Sequence, residues 1–146
     1  MNKNSFLLVC MLGAYLVSCN IDENKSNAKE MAVAVQLQGK WLLQSYSQDG
    51  SEVLLDECEK SETIVFNNDY TIDFNYYNDK EEGKPCELSV VGSGHWKFSS
   101  NTEIEFDYST EMYKDVFKVA YLVEGDILTL TTKEGKDSYS EIYIRQ

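Results

Sequence analysis

The amino-acid sequence predicts an all-β domain in which eight antiparallel strands form an up-and-down meander and close into a barrel, with at most one short helix before it. After Gly39 the chain is a succession of runs rich in Val, Ile, Thr, Tyr, Phe and Trp, which favour strands. Short turn signals such as Asp49-Gly50 and Glu134-Gly135 separate the runs, and short connections make successive strands antiparallel neighbours. No alternation of strand and helix patterns indicates a parallel sheet.

The predicted strands follow one another along nearly the whole domain. They are placed at residues 40–47, 62–67, 70–77, 87–98, 102–108, 115–123, 126–132 and 138–145. The segment before them is ambiguous. Alternate residues from Met31 to Leu37 are apolar, as in a strand, whereas a short helix would group Met31, Val35 and Gln38.

Eight strands are about the number that closes into a barrel whose interior is filled by side chains or holds one small ligand. Gly92 and Gly94 fall inside the fourth predicted strand, where glycine usually marks a bulge or a corner of the sheet. The pattern F-x-x-x-x-x-I-[DE]-F begins at Phe66 and again at Phe98. It predicts that each of these two hairpins places its phenylalanines and isoleucine on one face.

The beginning of the chain carries a targeting signal. Lys3, the apolar run 6–17 and the sequence Leu16-Val17-Ser18-Cys19 are typical of a lipoprotein signal over residues 1–18, after which Cys19 becomes the lipidated N-terminus. The apolar run is too short for a transmembrane helix, which needs about 20 residues. An ordinary secretory signal is the alternative. Residues 19–30 are polar and predict a disordered tether, which leaves 31–146 as one domain.

A lipoprotein signal predicts attachment to the outer membrane of a Gram-negative bacterium through the N-terminal lipid only. Asp22 and Glu23 resemble the acidic export signal that some Gram-negative groups use to move lipoproteins to the outer leaflet. We therefore expect surface exposure as one possible location and the periplasmic leaflet as the other. The sequence leaves the oligomeric state open, and a monomer is the simplest expectation.

The cysteines predict one disulfide. Cys10 leaves with the signal and Cys19 carries lipid, so Cys58 and Cys86 remain as an even pair in an oxidising compartment. Their spacing is not C-x-x-C, and His95 is the only histidine, which argues against a redox pair or a zinc site. We expect neither a metal nor another cofactor.

Charge and motifs restrict the function classes. A net charge of −12 argues against binding nucleic acid or anionic lipid head groups. The chain has no G-x-S-x-G, no H-E-x-x-H and no glycine-rich phosphate loop. Asp73 and Glu105 could lie across neighbouring strands and perform acid–base chemistry, but 25 acidic residues produce such pairs by chance. We expect a binding protein and not an enzyme.

Two G-x-W sequences, Gly39-Lys40-Trp41 and Gly94-His95-Trp96, occur in a meander that ends with Arg145 in its last strand. Together with the cysteine pair, this order resembles the lipocalin superfamily, and more narrowly the small lipocalin-like domain of bacterial lipoproteins, over about residues 37–145. The resemblance implies that Trp41 closes one end of the barrel with Arg145 across its indole. It also implies small-molecule binding, although short loops argue against a deep calyx.

The favoured hypothesis is a binder or carrier of a small apolar ligand in the barrel. Phe74, Tyr76, Trp96 and Phe98 are the side chains predicted to line its pocket. The alternative is a surface interaction protein that binds a glycan or an outer-membrane partner through an exposed aromatic patch.

Overall fold

The computed structural model describes residues 30–78, 85–110 and 114–146, which form an α-helix followed by a closed antiparallel barrel, with a short 3-10 helix, Glu59–Ser61, between its second and third strands. The helix, α1, covers residues 30–37. The strands are β1 (Gly39–Gln48), β2 (Ser51–Val53), β3 (Thr63–Phe66), β4 (Thr71–Tyr77), β5 (Leu88–Ser100), β6 (Glu103–Ser109), β7 (Lys114–Glu124), β8 (Ile127–Glu134) and β9 (Asp137–Arg145). β1 pairs with both β3 and β9, so eight strands close on themselves, and β2 only extends the end of β1. The predicted eight-stranded meander barrel is confirmed.

The ambiguous segment is helical, but its buried face differs from the helical grouping seen in the sequence. α1 buries Ala34 and Leu37, whereas Met31 and Val35 are each 66% exposed. The indole N–H of Trp41 donates to the carbonyl oxygen of Leu37 at 2.7 Å. This bond ties the end of α1 to β1, where Leu37 is fully buried against the barrel.

The predicted signal peptide (1–18), Cys19 and nearly all of the predicted tether lie outside the described residues. No helix in the described ranges is both long and apolar enough to cross a membrane.

Arg145 fastens α1 to the barrel. Its guanidinium lies 4.1 Å from the ring centroid of Trp41, its register partner across β1 and β9. The same group donates to the carbonyl oxygen of Gln38 at 2.6 Å and to that of Gln36, and its Nε lies 3.3 Å from a carboxylate oxygen of Asp126. Carbonyls at a helix C-terminus lack helical partners and favour a cation. We call this end of the barrel, covered by α1, the closed end.

The core lies inside the barrel and follows strand alternation. Phe66 pairs with Ile72, and Phe98 pairs with Ile104, as the repeated pattern predicts. The buried apolar residues of the cluster are Ala34, Leu37, Trp41, Leu43, Ile64, Phe66, Ile72, Phe74, Trp96, Ile104, Phe106, Val119, Leu128, Leu130 and Tyr143.

Gly92 and Gly94 allow two strands to approach closely and do not form a bulge. The pairing register runs without a shift through both glycines. A Cβ on Gly94 would lie 1.9 Å from the carbonyl oxygen of Asp107, and one on Gly92 would lie 2.1 Å from the ring of Tyr108. Of the two features expected at these glycines, a bulge or a corner of the sheet, the bulge is therefore wrong. The absent side chains make room for the β6 backbone and for the Tyr108 ring inside the barrel.

Cys58 and Cys86 form a disulfide, as predicted. Their Cα atoms are 5.3 Å apart, and Cys58 is fully buried. The bridge joins the segment before β3 to the segment before β5. Both segments lie at the end of the barrel opposite α1, which we call the open end.

Loss of the disulfide should lower stability strongly. The bridge closes a loop with a sequence separation of 28, and removing such a constraint from the unfolded chain costs about 3 to 4 kcal/mol. We expect reductant to lower the melting temperature by about 10 °C or more in calorimetry. The double variant Cys58→Ser, Cys86→Ser should melt at the lower temperature with or without reductant. Two reactive thiols in the folded, non-reduced protein would contradict the bridge.

Candidate ligand-binding site

The four aromatic side chains predicted to line a pocket all lie at inward-facing positions of β4 and β5. Phe74 and Trp96 are buried, while Tyr76 and Phe98 are partly buried. They form two separate pairs. The rings of Phe74 and Tyr76 stack with centroids 6.2 Å apart, and those of Trp96 and Phe98 meet edge to face at 5.5 Å.

Phe66 and Phe106 lie between these two pairs. Phe66 contacts Trp96 with centroids 5.4 Å apart, and its ring lies 6.0 Å from that of Phe106. Phe106 in turn meets Phe74 at 5.8 Å. Ring contacts of this kind run from Trp96, near the closed end, to the pair of Phe74 and Tyr76, nearer the open end. The structure therefore divides the four predicted residues between two parts of the interior.

Toward the open end the inward-facing side chains become polar. Glu141 and Tyr143 face inward from β9, and Tyr46 of β1 is the register partner of Glu141. The carbonyl oxygen of Glu62 accepts the N–H of Leu43 at 2.9 Å, so the pairing of β1 with β3 continues to Glu62. The Glu62 side chain therefore faces inward, two residues before the buried Ile64. Together with the predicted Tyr76, these residues form a group that we call the open-end cluster. Its members are Tyr46, Glu62, Tyr76, Glu141 and Tyr143.

Burial controls protonation in the open-end cluster. Burial first, and then the charges of Glu59 and Glu141, raise the pKa of Glu62 to about 7, although the backbone N–H of Tyr77 acts in the opposite direction. Burial also raises the pKa of Glu141, partly offset by the Tyr143 hydroxyl, which donates to Oε2 of Glu141 at 3.0 Å.

The cluster tyrosines keep their protons. Burial first, and then the charge of Glu141, raise the pKa values of Tyr76 and Tyr143 above that of an ordinary tyrosine. Their hydroxyls are therefore neutral hydrogen-bond donors beside two carboxyl groups.

The two carboxyl groups of the cluster have no cationic partner in the described part of the chain. The ion pairs formed there by Lys97, Lys114 and Lys118 lie on the outer face of β5 to β7, and that of Arg145 lies at the closed end. Buried charges in proteins are normally paired. When the carboxyl groups of Glu62 and Glu141 ionise, the open end therefore carries negative charge without a counter-charge.

A second polar group without a partner lies deeper in the barrel. Trp96 is 2% exposed, and its indole Nε1–H has no hydrogen-bond acceptor within the described residues. The indole of Trp41, by contrast, donates to Leu37. Buried donors are nearly always hydrogen-bonded. The barrel interior thus has an unused donor as well as unpaired carboxyl groups.

The residues considered for catalysis lie apart on the outer face. Asp73 of β4 and Glu105 of β6 are separated by β5, so the expected pair across neighbouring strands does not form. Glu105 instead binds Lys97 at 2.8 Å. His95 faces outward, as the alternation predicts, beside Asp107. Among the described residues, no group of three His, Cys, Asp or Glu side chains is arranged to hold a metal ion.

An aliphatic patch lies on the outer face of β7 to β9. Ile127 pairs with Ile144, while Leu122 and Ile142 both pair with Thr129. The four aliphatic side chains are between 37% and 54% exposed. They form a contiguous apolar surface, although not the aromatic one that a surface interaction protein was expected to show.

The chain is a small, closed β-barrel protein with eight strands in the barrel, a helix over one end and polar side chains inside the other. The sequence model of the lipocalin-like domain matches residues 37–120, more than half of the chain, so the chain belongs to the lipocalin-like family. This membership indicates ligand binding in general. A redesigned beta barrel of known structure is similar at 15% identity and a TM-score of 0.45, over 77% of this chain and 94% of that one. No curated protein matches the chain.

Sequence reasoning missed Glu62 and Glu141, although the signal was present. Glu141 alternates with Tyr139 and Tyr143, and Glu62 alternates with Ile64. Both acidic residues therefore stand in the inward phase of their strands. They could have been identified as acidic residues at positions where strand alternation places apolar side chains.

Glu62 should make stability depend on pH. Its pKa in the folded protein, about 7, is above the ordinary 4.5, so its contribution is fully present below the ordinary value and is lost as pH rises through the folded one. We expect the melting temperature to fall from about pH 5 to about pH 8. Glu62→Gln should reduce this fall, whereas Glu103→Gln, at an exposed outer position, should not. Equal pH profiles for the wild type and Glu62→Gln would contradict the assignment.

Proposed function

We propose that this lipocalin-like protein is a membrane-anchored lipoprotein that binds a small ligand in the open end of its barrel. Its function is to bind or carry this ligand and not to catalyse a reaction. The observation that carries the proposal is a pair of inward-facing carboxyl groups, those of Glu62 and Glu141, without a counter-charge. Glu141 is hydrogen-bonded to the neutral Tyr143 hydroxyl, and no cationic side chain in the described ranges forms an ion pair with either carboxyl group. Leaving such groups unpaired in a protein interior costs free energy, which a bound molecule would recover.

The rings beside the open-end cluster supply an apolar surface for the body of a ligand. Phe74 stacks on Tyr76 and meets the ring of Tyr108 edge to face at 5.0 Å. Pockets for small molecules usually combine such apolar walls with a few convergent polar groups. The predicted ligand-binding side chains Phe74 and Tyr76 fit this role better than Trp96 and Phe98, which lie nearer α1.

Lipid attachment at Cys19 fits this orientation of the barrel. The chain enters the described domain at residue 30 and passes directly into α1, which covers the closed end. An anchor on the N-terminal side therefore joins the protein at the closed end. The open end would then face away from the point of attachment, in the outer membrane of a Gram-negative bacterium, where a ligand can reach it from the aqueous phase.

Replacement of Cys19 tests the anchor. We expect Cys19→Ala to leave the chain unprocessed or soluble, because the acylated cysteine is the only attachment proposed. Fractionation and metabolic labelling with a fatty acid measure this. Labelling retained in Cys19→Ala, or membrane association equal to that of the wild type, would contradict it. Cys10→Ala is the matched control and should behave as the wild type.

A neutral apolar probe tests ligand binding. N-phenyl-1-naphthylamine should gain fluorescence in the barrel, and Tyr76→Ala should weaken its binding by about tenfold, because the ring forms part of the apolar wall. Trp41→Ala should instead lower the free energy of unfolding by about 3 to 5 kcal/mol and change probe affinity little while the protein is folded. Equal probe binding by wild type and Tyr76→Ala would contradict a site at the open end.

The aliphatic patch supports a second candidate, a surface interaction protein. Leu122, Ile127, Ile142 and Ile144 form an apolar area on a strongly acidic chain, and contiguous exposed apolar areas mark interaction sites. This candidate would gain weight if the barrel binds no probe. It differs from the first because Ile142→Lys would then impair function without touching the interior.

A further inference from the structure

The aliphatic patch on β7 to β9 begins where α1 is fastened to the barrel. Ile127 directly follows Asp126, and Ile144 directly precedes Arg145. The Asp126 carboxylate pairs with Arg145 at 3.3 Å, and the Arg145 guanidinium binds the carbonyl groups at the C-terminal end of α1. The patch is therefore located at the closed end, on the outside of the barrel.

The other end of α1 lies near the same strands. Burial first, and then the charge of Glu30, raise the pKa of Tyr121, which places the first residue of α1 near β7. Leu122 of the patch is the next residue of β7 and faces outward. The exposed side of α1 carries Met31 and Val35, which are four residues apart and therefore form one apolar ridge. Exposed apolar side chains of the helix and of the barrel thus gather at one end of the molecule.

The chain also approaches the barrel at this end. Ten residues, 20–29, separate Cys19 from Glu30, and a fully extended chain of that length spans at most about 40 Å. A lipid on Cys19 would therefore keep the closed end close to the bilayer that holds it. Tethering of this kind raises the effective concentration of the bilayer at the domain, so a weak contact can persist.

Charge selects the kind of lipid surface. Glu124 and Asp126 lie in and beside the turn between β7 and β8, next to the patch. Anionic head groups would be repelled by these carboxylates and by the net charge of −12. Zwitterionic head groups add no such repulsion, and exposed aliphatic side chains can bury their area at the boundary between head groups and acyl chains.

We infer that the aliphatic patch and the outer side of α1 rest on the zwitterionic surface of the bilayer to which the chain is anchored. This inference rests on the lipid anchor of the proposed function and adds which surface of the domain meets the membrane. In this orientation Leu122, Ile127 and Ile144 contact lipid, while the open end faces the aqueous phase.

A label on one strand tests the contact. Leu122 and Val116 both face outward from β7, about 20 Å apart along the strand, and both are 54% exposed. The full lipidated chain with Leu122→Cys or Val116→Cys is labelled with a nitrobenzoxadiazole fluorophore. Each chain is reconstituted in phosphatidylcholine liposomes with or without a nitroxide-bearing phosphatidylcholine. We expect the nitroxide lipid to quench the label at 122 about twofold or more over the label at 116.

Matched double variants show whether the aliphatic side chains make the contact. With the label at Ile142→Cys, replacing Leu122 and Ile127 by serine should reduce quenching by about half, because less apolar area leaves water. Replacing Val91 and Val116 by serine removes equally exposed apolar side chains away from the patch and should leave quenching unchanged. Melting curves of the variants establish that each barrel is folded.

The outcomes separate this inference from the anchor. Equal quenching at 122 and 116, in chains that float with the liposomes, would show that the docking is wrong while the anchor stands. A label at 122 with blue-shifted emission that the nitroxide lipid does not quench would mean that a second copy or another protein covers the patch, which also overturns the docking. A chain that does not float with the liposomes has no anchor, and the docking is then wrong with it.

Discussion

Pairing of β1 with β9 closes the barrel, and the contact between Trp41 and Arg145 lies at the edge of this pairing. A sheet that closes has no exposed edge at its first and last strands. Arg145 also binds the carbonyl groups at the end of α1, so the side chain that stacks on the indole holds the helix over the barrel. Strand closure and the attachment of the helix that covers the core thus meet at one stacked pair.

This arrangement makes the two ends of the barrel chemically different. At the closed end, Leu37 accepts the Trp41 indole N–H, and α1 covers the apolar side chains beneath it. At the other end the short 3-10 helix Glu59–Ser61 packs against β1 and β4, and the inward positions hold Glu62, Glu141 and tyrosines. The disulfide between Cys58 and Cys86 holds two of the segments at that end together. The closed end is therefore apolar and held by the helix, whereas the other end carries the ionisable side chains and the disulfide.

Most of the fold is predictable from the sequence because alternation and turn residues act locally. All eight predicted strands occur, with ends shifted by a few residues, and the cysteine pair is bridged. The parts that sequence reasoning missed depend on contacts between distant segments. The buried face of α1 is set by its packing on the barrel core, Gly94 is required by the backbone at Asp107, and β2 has only three residues and no apolar pattern.

The candidate site was harder to predict than the fold because its aromatic and acidic members are common residue types. Strand phase alone could identify Glu62 and Glu141 as inward-facing, but only the closed barrel shows that no basic side chain among the described residues meets them. Burial that raises the pKa of Glu62 also makes its ionised form a source of instability near neutral pH.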